Sequence, residues 1–234
     1  YDVTSSYFEG ECNELGAYGY NRDKKSGKKQ IVIGLLTDQE GEPLSVSVFK
    51  GNTADPSTIE TQIDLLAGRF GINDVVMVGD RGMIKSKGKS KIHAMKYKYI
   101  SAITDAQICR HMKNNMIQPD LFDSTICEVE QEGKRLILRK DEQTYKKEQH
   151  RRNDKINRLN SLIKDRNEFV LNSRSANPLS GLKKFNQWTK DYKISSFVKL
   201  SLKDNVEIVI EVDEVAKQED GLLDGCYVIE TDVL

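Results

Sequence analysis

The sequence feature that most limits the fold is a run of four apolar residues, Val75-Val76-Met77-Val78, which stops at Gly79-Asp80-Arg81-Gly82. An apolar run of this kind is typical of a central strand buried on both faces, as parallel strands are when helices cover them. Ligands of α/β proteins bind beyond the carboxyl ends of such strands, where Asp80 lies. Asp80 is therefore a candidate functional residue. The alternative interpretation is that it caps the next helix or turns the chain with its flanking glycines.

The residues before this strand predict an antiparallel meander followed by a helix. Strand patterns cover Val3–Phe8, Gln30–Leu36 and Leu44–Phe49, and the last of these alternates with period two. Asp55-Pro56 opens a helix, because proline is tolerated in a first turn, and Gly71 ends it.

The charges are balanced in total but unevenly placed along the chain. The 234 residues include 36 basic and 36 acidic side chains, so the formal net charge is zero, which argues against a dedicated nucleic-acid-binding module. Between residues 81 and 100, however, there is no acidic residue, which favours phosphate contact by this segment. Its basic residues are Arg81, Lys85, Lys87, Lys89, Lys91, Lys96 and Lys98. No apolar run approaches the roughly 20 residues that span a bilayer, so no membrane is expected as a partner.

Five short motifs occur in order along the chain. They are Asp2-Val3-Thr4-Ser5-Ser6-Tyr7-Phe8-Glu9, Gly19-Tyr20-Asn21-Arg22-Asp23, Gly34-Leu35-Leu36-Thr37-Asp38, Phe49-Lys50-Gly51-Asn52-Thr53-Ala54-Asp55 and Val78-Gly79-Asp80-Arg81-Gly82-Met83. In this order they resemble the catalytic domain of the DDE-type insertion-sequence transposases, in the branch with a strand-rich insertion before the last catalytic residue. The segment from Asp220 to Asp232 is similar to the stretch that these transposases have after the insertion.

The resemblance implies an RNase H-like fold, in which a mixed sheet is flanked by helices and interrupted by an inserted subdomain of strands and helices. Residues 1–103 are expected to form the first part of this core, 104–204 the insertion, and 205–234 the return to the core. The third catalytic glutamate should lie in a Tyr-x-x-Arg-x-x-x-Glu signature after Thr231-Asp232, and the sequence contains none. The chain is therefore expected to be a fragment truncated at both ends.

The resemblance also implies the chemistry. Asp2 and Asp80 correspond to the first two catalytic carboxylates of the DDE triad and to metal ligands for two Mg²⁺ or Mn²⁺ ions, which prefer oxygen ligands. In the whole enzyme these ions drive hydrolysis at a transposon end and transfer of the freed 3′-hydroxyl to target DNA. The fragment is expected to be inactive, because one of the three carboxylates is missing.

The remaining expectations concern DNA contacts and partners. Phosphate contacts are predicted for Lys85, Lys87, Lys89 and Lys91, and Arg81 is predicted either to contact phosphate or to pair with a carboxylate. Trp188 is a candidate for contacting a DNA base, although a buried tryptophan is the commoner case. The expected partners are the transposon ends and target DNA, with a homodimer on DNA. The expected location is the bacterial cytoplasm, associated with the nucleoid.

Two other functions fit the same sequence. One is an RNase H-like metal nuclease or resolvase, which would cut DNA without joining it to a target. The other is a transposase remnant that binds DNA or protein without catalysis. The reaction product distinguishes the first from a transposase, since only a transposase forms a joined transposon–target molecule.

Overall fold

The protein is described by a computed structural model that covers residues 1–10, 12–20, 27–71, 74–123, 126–131, 133–173 and 176–233. Asn21, Arg22 and Asp23 of the second sequence motif lie outside the described residues. The chain forms two compact units. The first comprises Tyr1–Leu121, Ile126–Leu138 and Tyr227–Leu234, and the second comprises Phe122–Thr125 and Arg139–Cys226.

The first unit begins with the predicted antiparallel meander. Strands β1 (Asp2–Tyr7), β2 (Gln30–Thr37) and β3 (Pro43–Lys50) form a three-stranded sheet in the order β1-β2-β3. Alternate residues of β2 face the core, and Val32 and Leu36 are each 4% exposed. The period-two pattern thus places one face of this sheet inside and the other outside.

A second sheet contains five strands in the order β4-β5-β10-β7-β6. The strands are β4 (Val76–Gly79), β5 (Lys98–Ala102), β6 (Cys127–Gln131), β7 (Lys134–Lys140) and β10 (Cys226–Thr231). Strands β4 and β5 run parallel, whereas β10 runs antiparallel to β5, so the sheet is mixed. The predicted RNase H-like α/β fold class is confirmed.

The prediction that β4 is buried on both faces is wrong. Met77 is 3% exposed and packs in the core, but Val76 and Val78 are 42% and 53% exposed. The described residues therefore cover the Met77 face and leave the Val76 and Val78 side chains partly accessible. A continuous apolar run therefore marked a parallel strand correctly, but it did not show how many of its faces are covered by the described residues.

Three α-helices lie in the described part of the first unit. Helix α1 (Asp55–Leu65) starts with Pro56 in its first turn and continues as a π-helical turn to a left-handed Gly71, with φ of 63°. Helices α2 (Ser86–Ala94) and α3 (Asp105–Lys113) follow strands β4 and β5. Ile59, Ile63 and Ile92 pack with the inner sheet residues in one core cluster. The predicted start and end of α1 are confirmed.

The second unit is built on a long helix. Helices α4 (Glu142–Asn172), α5 (Pro178–Asp191) and α6 (Glu214–Asp220) surround a hairpin of β8 (Val198–Lys203) and β9 (Glu207–Val212). Its core contains Ile156, Leu159, Ile163, Phe185, Phe197 and Ile208. The limits of the predicted insertion, 104–204, remain a prediction. No helix among the described residues combines the length and the apolar character needed to cross a membrane.

Candidate active site

Asp2 and Asp80 are brought to the same place in the first unit. Asp2 is the first residue of β1, and Asp80 directly follows the last residue of β4. The backbone nitrogen of Tyr1 donates to the carbonyl oxygen of Val78 at 3.1 Å, so the start of β1 lies beside the end of β4. Both aspartates are exposed, and both line one cleft of about 280 Å³.

Backbone amides orient both carboxylates. Oδ1 of Asp2 accepts from the nitrogen of Val3 at 2.7 Å, and Oδ1 of Asp80 accepts from the nitrogen of Arg81 at 2.6 Å. The carbonyl of Asp80 accepts from the nitrogen of Met83 at 3.0 Å, which closes a turn. Asp80 does not cap the next helix, because α2 begins six residues later with Lys85 at its N-cap.

The flanking glycines serve this turn in different ways. Gly82 has φ of 76°, a left-handed conformation that side chains rarely adopt. Gly79 instead allows close packing, because a Cβ atom there would lie 3.0 Å from Cγ1 of Ile84. The sequence motif around Asp80 is thus a tight turn that holds the carboxylate at the edge of the sheet.

The pair of carboxylates fits part of a divalent-cation site. Asp2 and Asp80 supply hard oxygen ligands, which Mg²⁺ and Mn²⁺ prefer. Within the described part of the chain, however, no group of three or more Asp, Glu, His or Cys side chains could hold a metal ion. The site therefore contains two candidate ligands, with no third one from the described residues.

Arg81 pairs with a carboxylate, as one of the two sequence interpretations had it. Its Nη1 lies 2.8 Å from Oδ1 of Asp105, and its guanidinium lies 5.3 Å from the ring centroid of Tyr227. The side chain is 34% exposed, so part of it still meets solvent. The structure leaves the predicted phosphate contact of Arg81 untested.

The candidate DNA-binding lysines lie in different surroundings. Lys85 is exposed, and Lys87 is 83% exposed but lies 2.9 Å from a carboxylate oxygen of Glu60. Lys91 lies 2.6 Å from Asp64. Lys89 is only 16% exposed and is held by Glu230, whose carboxylate oxygen lies 2.6 Å away. Their contact with DNA stays a prediction, and the local geometry favours Lys85.

The family of the chain is given by comparison with known proteins. A family model described as the transposase DDE domain matches residues 1–196. The chain belongs to the transposase DDE-domain family. This membership indicates a transposase-type enzyme, and it agrees with the order of motifs around Asp2 and Asp80. No curated protein and no solved structure matched the chain.

A buried polar cluster in this transposase domain was not predicted from the sequence. Glu230 on β10 accepts hydrogen bonds from Lys89 on α2 and from the hydroxyl of Tyr99 on β5. Burial alone raises the pKa of Glu230, but the bonds from Lys89 and Tyr99 outweigh burial and hold that pKa below its ordinary value. Burial, followed by the nearby Glu230 carboxylate, raises the pKa of Tyr99. The sequence signal for it was the opposite charge of two segments: residues 81–100 are basic, and residues 204–232 contain ten acidic residues against Lys217 alone.

Trp188 lies in the second unit of the transposase domain. It is half-buried on α5, and its ring stacks on that of Tyr192 with centroids 4.0 Å apart. It also packs against the core of that unit. This placement agrees with a structural role, and the predicted contact of Trp188 with a DNA base remains a prediction.

Proposed function

We propose that the chain is the catalytic core of a DNA transposase, with Asp2 and Asp80 holding the divalent cations that cleavage and strand transfer require. The observation that supports this most directly is the pairing of the two carboxylates at one cleft between the start of β1 and the end of β4. Membership of the transposase DDE-domain family supports DNA as the substrate and a divalent metal as the cofactor class.

The residues of the chain would orient the reacting groups. The amides of Val3 and Arg81 hold one oxygen of each carboxylate in place. Ser101, which is 3% exposed, donates to the carbonyl of Asp80 at 3.3 Å and ties the turn to β5. When bound, Mg²⁺ or Mn²⁺ would activate the attacking water or 3′-hydroxyl and stabilise the leaving oxygen.

Metal affinity at this pair should be weak in residues 1–234. Two carboxylates leave most of the six oxygen positions around Mg²⁺ to water and substrate phosphate. Since the described residues provide no third carboxylate, we expect these residues alone to have little or no cleavage activity. Arg81 directly follows Asp80 in the chain, and Lys85 lies in the same short segment. Both would contact the phosphates of the transposon end. A homodimer on DNA in the bacterial cytoplasm, near the nucleoid, belongs to the same proposal.

Metal binding and DNA products together test this function. Calorimetric titration of residues 1–234 with Mn²⁺ should show weak binding that Asp2→Asn or Asp80→Asn abolishes, whereas Asp120→Asn, an exposed aspartate outside the cleft, should leave it unchanged. Equal Mn²⁺ binding by all four proteins would contradict the site.

Strand cleavage of duplex DNA by residues 1–234 in Mg²⁺, lost in Asp80→Asn, would contradict the expected inactivity. Nicked products without joined molecules would favour a nuclease.

A further inference from the structure

A second cleft opens beside Asp80. It has a volume of about 480 Å³ and lies entirely in the first unit. Asp80, Arg81 and Lys85 line one side, and the start of α1 lines another. Residues of β1 and β2, the loop 51–53 and the aromatic Tyr20 also line it. We call it the Tyr20 cleft, and its lining includes Thr4, Tyr20, Gln30, Asn52, Asp80 and Lys85.

Two of the sequence motifs meet to build its wall. A Cβ atom on Gly19 would lie 2.0 Å from the carbonyl oxygen of Gly51, and a Cβ atom on Gly51 would lie 1.9 Å from that of Gln30. Only glycine permits this approach of the two backbones. Gln30 fixes the crossing, since its Nε2 donates to Gly51 O at 2.8 Å and to Tyr20 O at 3.0 Å. The Gly19-Tyr20 and Gly51-Asn52 motifs thus position Tyr20.

The crossing leaves an aromatic ring at the edge of the cleft. The Tyr20 backbone is held by the buried Gln30, but Tyr20 itself is 85% exposed. An exposed aromatic ring on a backbone held in this way is a suitable stacking surface for a base, because every base has a π-face. The Oε1 atom of Gln30 accepts no hydrogen bond from any described residue, and Gln30 is 2% exposed. This unpaired acceptor lies in the buried wall of the cleft.

The opposite side of the cleft suits a phosphate. Helices α1 and α2 both begin at the cleft, and their N-cap residues, Ala54 and Lys85, provide no side-chain cap. The first backbone N–H groups of α2 therefore carry partial positive charge without a capping side chain, whereas the first turn of α1 contains Pro56, which has no N–H, and the acidic Asp55. Lys85 forms no ion pair with any residue that the structure describes, in contrast to Lys87, Lys89 and Lys91. The acidic groups of the lining are Asp55 and Asp80.

We propose that the Tyr20 cleft holds one nucleotide of the DNA strand next to the phosphodiester at Asp2 and Asp80. The base stacks on Tyr20, and its backbone phosphate contacts Lys85 and the start of α2. The volume is within the range of clefts that enclose small ligands. This inference rests on the proposed function, because it is the shared Asp80 that places the cleft next to the cleavage site. It adds a contact that positions the strand without taking part in the chemistry.

Binding without metal tests the cleft separately from catalysis. Fluorescence anisotropy of a fluorescein-labelled single-stranded oligonucleotide is measured with residues 1–234 in EDTA. Tyr20→Ala should weaken binding by about fivefold or more, and Tyr20→Phe should preserve it. Tyr18→Ala is the matched control, because Tyr18 is 66% exposed and lies outside the cleft lining.

The salt dependence of the same binding tests the phosphate contact. Lys85→Gln should reduce the slope of log K against log salt by about 0.7. Lys113→Gln is the control, because Lys113 is exposed and lies outside the cleft lining, and it should leave the slope unchanged.

The outcomes are separable. Suppose that Tyr20→Ala and Lys85→Gln both fold, as judged by circular dichroism, and bind DNA as tightly as the wild type. This result would contradict the nucleotide site in the Tyr20 cleft and leave the proposed metal site unaffected. Absence of DNA binding by the wild type would also contradict the nucleotide site. If the wild type binds no Mn²⁺ but its DNA binding still depends on Tyr20, the cleft stands and the proposed catalytic role of Asp2 and Asp80 is contradicted. An equal loss in Tyr18→Ala and Tyr20→Ala would show that any exposed tyrosine suffices, which contradicts the proposal.

Discussion

At the residue scale, Lys89 is held in a largely buried pair with Glu230. Its side chain is 16% exposed and that of Glu230 is 6% exposed, and their atoms lie 2.6 Å apart. Its ammonium also lies 5.0 Å from the ring centroid of Tyr99. Removing one member of a buried pair leaves the other charge without a partner, which costs more than losing an exposed pair. Lys89 was predicted to bind DNA from a run of basic residues, and such a run gives no information about partners 141 positions away.

We expect Glu230→Gln to reduce the free energy of unfolding by about 2–3 kcal/mol at neutral pH, as judged by urea denaturation. The matched control is Lys87→Gln, whose exposed pair with Glu60 should contribute less than about 1 kcal/mol. Because the folded pKa of Glu230 lies below its ordinary value of 4.5, the contribution is fully present above that pH. It is lost as the pH falls through the folded pKa, so the two proteins should converge in acid. A difference that grows in acid would contradict the assignment.

At the scale of elements, strand β4 shows what a local pattern can and cannot predict. The strand, its parallel character and its end at Asp80 were predictable from four apolar residues and a glycine, whereas its partner strand β5 was not. The start of α1 at Asp55-Pro56 and its end at Gly71 were equally local signals. Coverage of a sheet face depends on residues distant in sequence, and so do the Tyr20 cleft and the Glu230 pair. These features could not be predicted from spacing alone.

The one-sided burial of β4 leads to a prediction about stability. Met77→Ala should lower the free energy of unfolding by about 2–5 kcal/mol, because Met77 is 3% exposed and its loss leaves a cavity. Val78→Ala should lower the free energy of unfolding by less than about 1 kcal/mol. Val78 is 53% exposed, so truncating it removes little buried apolar surface and water can fill the space of the deleted methyl groups. Chemical denaturation of residues 1–234 measures both. Comparable losses in the two variants would mean that the Val78 face is covered in solution.

At the scale of the whole molecule, the 36 basic and 36 acidic side chains sum to zero, and many charges of the basic segment, residues 81–100, are also paired locally. Four cations of the basic segment, Arg81, Lys87, Lys89 and Lys91, already lie within 3 Å of carboxylates. The field of this segment toward DNA is therefore weaker than a count of seven basic residues indicates. The salt dependence of DNA binding should accordingly reflect Lys85 and other unpaired cations more than Lys87.

A charge exchange distinguishes pairing from DNA contact. In the double variant Lys87→Glu with Glu60→Lys, the ion pair and the net charge are preserved while the two signs change places. If Lys87 only links α2 to α1, this variant should bind the fluorescein-labelled oligonucleotide with wild-type affinity and salt slope, whereas Lys85→Glu should lower both. If Lys87 contacts phosphate as the sequence predicted, the exchange should weaken binding and reduce the slope by about 0.7–0.9. Thermal unfolding of each variant verifies that the pair has re-formed, because a re-formed pair leaves the midpoint unchanged.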